Sequence, residues 1–443
     1  MKITFIKPNI GRREHSLYVD EARMEPLTLG VLAGLTPPDV EVALYDDRCE
    51  KIPLDDPTDL VAMTVETYTA RRAYEIADAY RRRGVRVILG GMHPSFLPEE
   101  AALHADSIFV GDAETRWAQV VDDARKGKLS HRYQAPAGPA QGGGVLPRRD
   151  LFRGKGYLPI TLMQFSRGCR FPCRFCAVTH YFGRNHHLRP VNEVVKEIEA
   201  QERRFIFFVD DNIAADRSAL KDLCAALRPL RISWVSQASI DIAHDRPLLS
   251  LMEKSGCRGN VMGFESISMA SLREAKKAPN FHHSPHYKEE VAILRDQGLQ
   301  TWAAFTLGFD GDTETSILAT LDFALKNRFT FAAFNLLMPY PGTPFYDQLA
   351  QEKRLLYDGQ WWLHPAYRFN QAAFVPRNMS AEELTNVCHR ARKDFNSWSS
   401  LLYRFSDVKT NLRSLWRAAT YWRYTPLFRK ETIKKHGMRF GLE

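Results

Sequence analysis

The sequence predicts two α/β units built on parallel sheets, followed by a helical C-terminal region. Three observations predict it. Short apolar runs alternate with helical patterns twice along the 443 residues; a Pro/Gly-rich stretch separates the two series; and from Ser380 the apolar spacing settles to three and four residues. A chain of this length exceeds what one core usually covers, so several domains are expected.

In the first series, Ile3–Ile6, Val40–Leu44, Leu60–Met63, Val85–Leu89 and Ile108–Val110 read as strands, with helices at Leu27–Leu35, Arg71–Arg83 and Thr115–Arg125 between them. This is a doubly wound, Rossmann-like pattern. Such sheets take ligands beyond the C-terminal ends of their strands. The loops there begin at Pro8, Thr64, Gly90-Gly91 and Gly111. Residues 134–150, with Gln-Gly-Gly-Gly at 141–144, read as a linker. The second series places strands at Thr161–Phe165, Phe205–Val209, Ile232–Gln237, Asn260–Phe264, Thr301–Leu307 and Ala332–Leu337, and helices such as Val191–Arg203 and Tyr287–Gln297. Six strand–helix units suggest an open (β/α)6 barrel, whose chemistry belongs at the C-terminal strand ends. Ser380 and Glu383 form a capping-box pattern. Residues spaced from Leu384 through Phe395, Trp398, Leu402, Leu412 and Trp416 to Ala419 read as one apolar helical face, with a break near Ser406–Asn411. The expected domains are therefore 1–133, a linker at 134–150, a barrel at 151–350 and a C-terminal region at 351–443.

The apolar content of 44% argues against disorder, and no run reaches the roughly 20 apolar residues of a membrane span. The N-terminus reads as a strand rather than a signal peptide, so a cytoplasmic protein is expected. The net charge of +9 is concentrated: residues 401–443 carry ten Lys or Arg against three Asp or Glu. Interleaved with Trp416, Tyr421, Trp422, Tyr424 and Phe428, these charges fit a helical cap with a charged outer face. A membrane surface ranks second and nucleic acid a distant third.

Seven cysteines are present, and three fall within Gly168-Cys169-Arg170-Phe171-Pro172-Cys173-Arg174-Phe175-Cys176. Scattered Cys49, Cys224, Cys257 and Cys388 read as small buried residues. Three thiolates in one loop can hold an iron–sulfur cluster, leaving one iron of a [4Fe–4S] cluster open to a small molecule. A Cys3His zinc site completed by His180 is the alternative.

The Cys-x3-Cys-x2-Cys spacing with Phe175 before the last cysteine resembles the radical S-adenosylmethionine (SAM) superfamily. Gly90-Gly91-Met92-His93-Pro94-Ser95, Phe208-Val209-Asp210-Asp211-Asn212, Gly263-Phe264-Glu265-Ser266 and Pro339-Tyr340-Pro341-Gly342-Thr343-Pro344 resemble its subgroup with an N-terminal cobalamin-binding domain, which includes the anaerobic porphyrin cyclase and the hopanoid and antibiotic carbon methylases. The resemblance implies a [4Fe–4S] cluster on Cys169, Cys173 and Cys176, and SAM held near Phe175, Asp211, Glu265, Arg189 and Gly308. It implies cobalamin near Thr64, Gly90, Gly91 and Gly111. It further implies reductive cleavage of SAM to a 5′-deoxyadenosyl radical, functionalisation of an unactivated carbon with methyl transfer leading, and a reductant such as flavodoxin or ferredoxin. Read from the residues themselves, Asp210–Asn212 also suit a helix N-cap, Glu265 a buried pair, Arg184 and Arg189 a surface, and Gly308 a turn. His93 reads as a turn histidine rather than a cobalt ligand, because no Asp-x-His-x-x-Gly motif occurs. Cobalamin-free cyclisation, carbon–carbon joining or rearrangement, and a zinc-stabilised binding protein, remain the rival functions. The substrate is expected to be a small, apolar or lipid-like molecule.

Overall fold

The computed structural model describes residues 1–11, 23–136 and 145–442. The first sheet contains β1 (Lys2–Lys7), β2 (Glu41–Asp46), β3 (Leu60–Thr64), β4 (Arg86–Gly90), β5 (Ser107–Val110) and β6 (Arg132–Gln134) in the order β2-β1-β3-β4-β5-β6. Every pairing is parallel. The order reverses at β1, which puts helices on both faces and creates a switch point between β1 and β3. Its core gathers Ile3, Phe5, Leu29, Leu60, Ile88, Phe109 and Trp117. Strand β6 was not expected: three residues with two exposed side chains carry too little apolar pattern to be seen, and edge pairing to β5 creates it.

The second sheet contains β7 (Thr161–Met163), β10 (Phe205–Phe208), β11 (Ser233–Gln237), β12 (Cys257–Glu265), β13 (Gln300–Leu307) and β14 (Phe331–Leu336), all parallel and in chain order. A short antiparallel ribbon of β8 (Ser166–Arg167) and β9 (His187–Leu188) lies between β7 and β10 in the chain. Sequential order with right-handed crossovers places the helices on one face, the arrangement of an open (β/α)6 barrel. The first barrel strand stops at Met163 instead of Phe165, because the amides of Phe165 and Ser166 turn to the Asp210 carboxylate.

The chain forms two compact units, Met1–Leu158 with Gln360–Phe369 and Gly437–Glu443, and Pro159–Gly359 with Asn370–His436. Of the segment read as a linker, 137–144 lies outside the described residues. Beyond it the chain is structured: Arg148 donates to the Gly30 carbonyl (2.9 Å), and a Cβ on Gly30 would meet the Phe152 ring. The return segment 360–369 belongs to the first unit through an aromatic cluster of Tyr68, Trp361, Tyr367, Phe369 and Phe440.

The C-terminal region forms three helices, Ala381–Phe395, Trp398–Phe405 and Leu415–Lys435, and the expected capping box at Ser380 and Glu383 is present. The single apolar face predicted from 384 to 419 does not exist. Leu384, Val387, Ala391 and Phe395 are buried, whereas Trp398, Leu402, Leu412 and Trp416 are exposed, because two breaks rotate each helix relative to the last. The basic residues are also divided. Arg392 donates to the Phe334 carbonyl (2.7 Å), and Arg417 donates to that of Gly298. Arg404, fully buried, reaches the carbonyls of Phe329 (3.0 Å), Thr330 (2.7 Å) and Phe395 (3.0 Å). Asn411 accepts from Gln300 and Thr330. Residues 404–417 therefore close the end of the barrel where β13 and β14 begin, opposite the C-terminal strand ends.

Burial lowers the Arg404 guanidinium to about 10, yet its fork satisfies several carbonyls at once. Arg404→Ala is expected to lower unfolding stability by about 3 kcal/mol, as buried acceptors lose a charged donor, and Arg404→Lys to recover less than half of that. Denaturant midpoints of the three proteins measure it.

Candidate active site

The three clustered cysteines sit on a loop whose exit from β7 is set by β10. Asp210, two residues beyond β10, is fully buried and accepts from the Phe165 amide (3.1 Å) and from the amide and hydroxyl of Ser166. Burial pushes its carboxyl up to about 7, against the pull of those donors. Asp211 accepts from the Gly168 amide (2.8 Å). Gly168 has φ +84°, and a Cβ there would lie 2.1 Å from the Asn185 carbonyl oxygen. Only glycine fits immediately before Cys169. The ribbon of β8 and β9 then closes the base of the loop. The helix cap considered for 210–212 is made elsewhere: Asp216 caps Arg217–Leu227. Asn212 binds Ser239 (2.7 Å).

Within the loop, Thr179 donates to the Phe171 carbonyl (2.9 Å), Arg174 donates to Ala275 (3.3 Å) and accepts from Phe345 (3.2 Å). Phe175 meets Phe309 edge-on, with centroids 5.8 Å apart. Cys169 and Cys176 are half-buried and Cys173 is buried; none forms a disulfide. Burial raises the Cys169 thiol and pushes that of Cys173 up to about 12. The Lys277 ammonium works in the opposite direction on both. A cation bound by these sulfurs would relieve the same penalty.

Lys277 had no signal in the sequence beyond being one of two adjacent lysines. Its Nζ donates to the Gly263 carbonyl (2.9 Å) and to Glu265 Oε1 (2.5 Å). Burial opposes its charge, but Glu265 and Cys173 hold it above the ordinary lysine range. Glu265 is buried with φ +61°, a conformation that a non-glycine residue adopts only under strain, at the point where the β12–β13 register shifts. Its Oε2 accepts from Thr306 (2.6 Å). The buried-pair alternative for Glu265 is thus what the chain forms.

The other predicted residues are placed as follows. Arg189 donates to the Gln164 carbonyl (2.8 Å) and pairs with buried Glu197 (2.9 Å), while Arg184 is exposed on a turn. The Gly308 amide donates to Asp312 (2.9 Å), and its Cβ direction faces Leu384 at 2.7 Å. In the first unit, Thr64, Gly90, Gly91 and Gly111 meet at the ends of adjacent β3, β4 and β5. Gly91 has φ +100°, and a Cβ there would press on Thr64 and Val65 at 2.9 Å. The Ser95 hydroxyl donates to the Gly91 carbonyl (2.7 Å) and accepts from the Gly111 amide (2.9 Å), a link that sequence reading missed. His93 is fully buried, with Nε2 held by Glu100 (2.9 Å) and Tyr74 (3.2 Å). Nε2 is committed to this network, whereas Nδ1 is buried with no hydrogen-bond partner among the described residues.

The three thiols of one loop are the donor set that a [4Fe–4S] cluster takes. Two sulfurs on one zinc stand roughly 3.8 Å apart, given Zn–S bonds of about 2.3 Å. Among the described residues, three ligand atoms lie within 4.8 Å of one another only at His244, His283 and Glu290. The thiols, with or without His180, form no such group.

Replacing Cys169, Cys173 or Cys176 singly by alanine is expected to drop iron from about four per chain to below one, with loss of visible absorption after anaerobic reconstitution. Iron analysis and spectroscopy of the full chain check it; one tightly held zinc and no iron would contradict it.

A family model described as the radical SAM superfamily matches residues 163–324, from the end of β7 into the helix after β13. The bacteriochlorophyllide d C-12(1)-methyltransferase of Chlorobaculum tepidum is 27% identical over 90% of this chain and 89% of its own. The C-8(2)-methyltransferase of the same organism is 30% identical over 74% of this chain and 77% of its own. In fold, the chain is similar to the radical SAM methyltransferase TsrM from Kitasatospora setae, solved with cobalamin and a [4Fe-4S] cluster bound. The TM-score is 0.64, with 18% identity over 79% of this chain and 75% of that one. With the cysteine loop at its barrel strand end and this similarity along most of its length, the chain belongs to the radical SAM superfamily.

Proposed function

We propose that this chain is a cobalamin-dependent radical SAM methyltransferase that methylates a carbon on the periphery of an apolar tetrapyrrole of the bacteriochlorophyllide kind. One observation supports this most: the likeness to a bacteriochlorophyllide methyltransferase runs over 90% of this chain and 89% of that relative, well beyond the stretch matched by the family model. When bound, the cluster supplies the electron that splits SAM, and cobalamin supplies the methyl group.

The chain's own residues serve binding and orientation. Cys169, Cys173 and Cys176 would hold the cluster through their thiolates, three ligands for four irons. Asp210 and Asp211 fix where the loop leaves the barrel. Lys277 places positive charge beside a site that gathers thiolates and a carboxylate, and Glu265 and Thr306 keep it there. Phe175 and Phe309 form an apolar wall beside the loop. Thr64, Gly90, Gly91 and Gly111, braced by Ser95, offer backbone to cobalamin at the C-terminal ends of β3, β4 and β5. A small reductant such as flavodoxin or ferredoxin supplies the electron.

Reconstituted protein incubated anaerobically with reductant, methyl-labelled SAM, cobalamin and a bacteriochlorophyllide is expected to transfer label to pigment carbon. Omitting cobalamin is expected to abolish the label. Unlabelled pigment accompanied by 5′-deoxyadenosine would support a cobalamin-free radical reaction instead.

A second reading concerns where the protein works. No helix among the described residues is long and apolar enough to cross a membrane. Half of the exposed large apolar side chains among them nevertheless fall within residues 398–416: Trp398, Leu402, Tyr403, Val408, Leu412, Leu415 and Trp416. With Lys409, Arg413 and Arg423 nearby in sequence, this suits peripheral contact with an anionic membrane from the cytoplasm. The contact would attach the chain by the barrel end opposite the cysteine loop. Double replacement Val408→Glu/Leu415→Glu is expected to abolish flotation with phosphatidylglycerol vesicles; equal flotation of variant and parent would remove this reading.

A further inference from the structure

We propose that this chain carries a second metal site, for a divalent first-row transition ion, built from His244, His283 and Glu290. The three come from separate elements: His244 ends the turn Ile240–His244 after β11, His283 ends helix Ala278–His283, and Glu290 lies on helix Tyr287–Asp296. Their ligand atoms lie within 4.8 Å of one another. His244 Nε2 is 2.7 Å from Glu290 Oε1, and His283 Nδ1 bonds to the same oxygen. The imidazole rings are tilted, with centroids 5.1 Å apart.

Two features separate this from an ordinary hydrogen-bonded cluster. Glu290 is 1% exposed, and its second oxygen, Oε2, is buried with no hydrogen-bond partner. A buried carboxylate with both donors on one oxygen is under-satisfied. Second, His244 is more than half exposed while Glu290 is enclosed, so one side of the site opens to solvent and the other is fixed. Either imidazole can move its proton to the other ring nitrogen, freeing the atom that faces Glu290 to bind a cation. Two imidazoles and a carboxylate suit zinc, nickel, cobalt or iron(II), with water completing the coordination.

The site bears on the active centre through the segment that carries it. On the inner side of that segment, Asn280 donates to the carbonyls of Gly263 (2.7 Å) and Phe264 (3.0 Å), and the Tyr287 hydroxyl donates to Phe264 (3.2 Å). Lys277 precedes it and grips Glu265. An ion joining His244 to His283 and Glu290 ties the connection after β11 to the segment that positions Lys277 and the end of β12. The inference stands on this geometry alone, independent of the methyl-transfer reading.

The test uses the full chain with its iron–sulfur cluster reconstituted, stripped of adventitious metal and dialysed against zinc. The expected result is one zinc per chain beyond the iron, an X-ray absorption shell of nitrogen and oxygen only, and a raised thermal midpoint. His244→Ala, at an exposed position, should weaken zinc at least tenfold while retaining the iron, and His282→Ala should leave zinc binding unchanged. Zinc binding equal in His244→Ala and parent, sulfur in the zinc shell, or no zinc retained by the parent would each overturn the proposal.

Discussion

The acceptance of three hydrogen bonds by buried Asp210, two residues beyond β10, is the interaction on which the site rests. It takes the amides of Phe165 and Ser166 away from the sheet, ends β7 early and sends the chain outward. Asp211 then holds the Gly168 amide, and the cysteines follow. A carboxylate so buried is tolerated only because donors surround it. The aspartates act on the loop's backbone and so determine where a cluster would stand.

A second constraint is the handling of charge in a low-dielectric barrel. Glu265 is buried and Lys277 largely covered, and the pair is tied to Gly263 and Thr306, so neither charge is left alone. Strain in the Glu265 backbone is held by the same contacts. At the opposite barrel end, Arg404, Arg417 and Arg392 find carbonyl oxygens instead of carboxylates. Both ends of the barrel are thus fastened by cations shielded from solvent, one serving the active centre and the other the attachment of the C-terminal helices.

Much of the fold was legible. Periodicity placed all six barrel strands within a few residues and five of the six strands of the first sheet, because buried parallel strands read as continuous apolar runs. The capping box at Ser380 and the break after Phe405 were visible for the same local reasons. The single C-terminal apolar face was not correct, since spacing alone does not register how breaks at 396–397 and 406–414 reorient helices. The return of 360–369 to the first unit was invisible, because long-range aromatic packing around Tyr68 and Phe440 decides it.

By itself, then, the sequence determined the chemistry that is local: the Cys-x3-Cys-x2-Cys loop, its glycine, its aromatic Phe175 and the alternation of strands and helices. Only the tertiary structure decided which polar residues serve that loop. It moved Glu265 into a pair with Lys277, turned Asp210 and Asp211 toward backbone amides, engaged Arg189 with Glu197, and gathered His244, His283 and Glu290 from three elements. Spacing along a strand or helix fixes only near neighbours. Residues tens of positions apart become partners through the packing of barrel strand ends and their connections, where burial demands that each charge and each hydrogen-bonding group find a match.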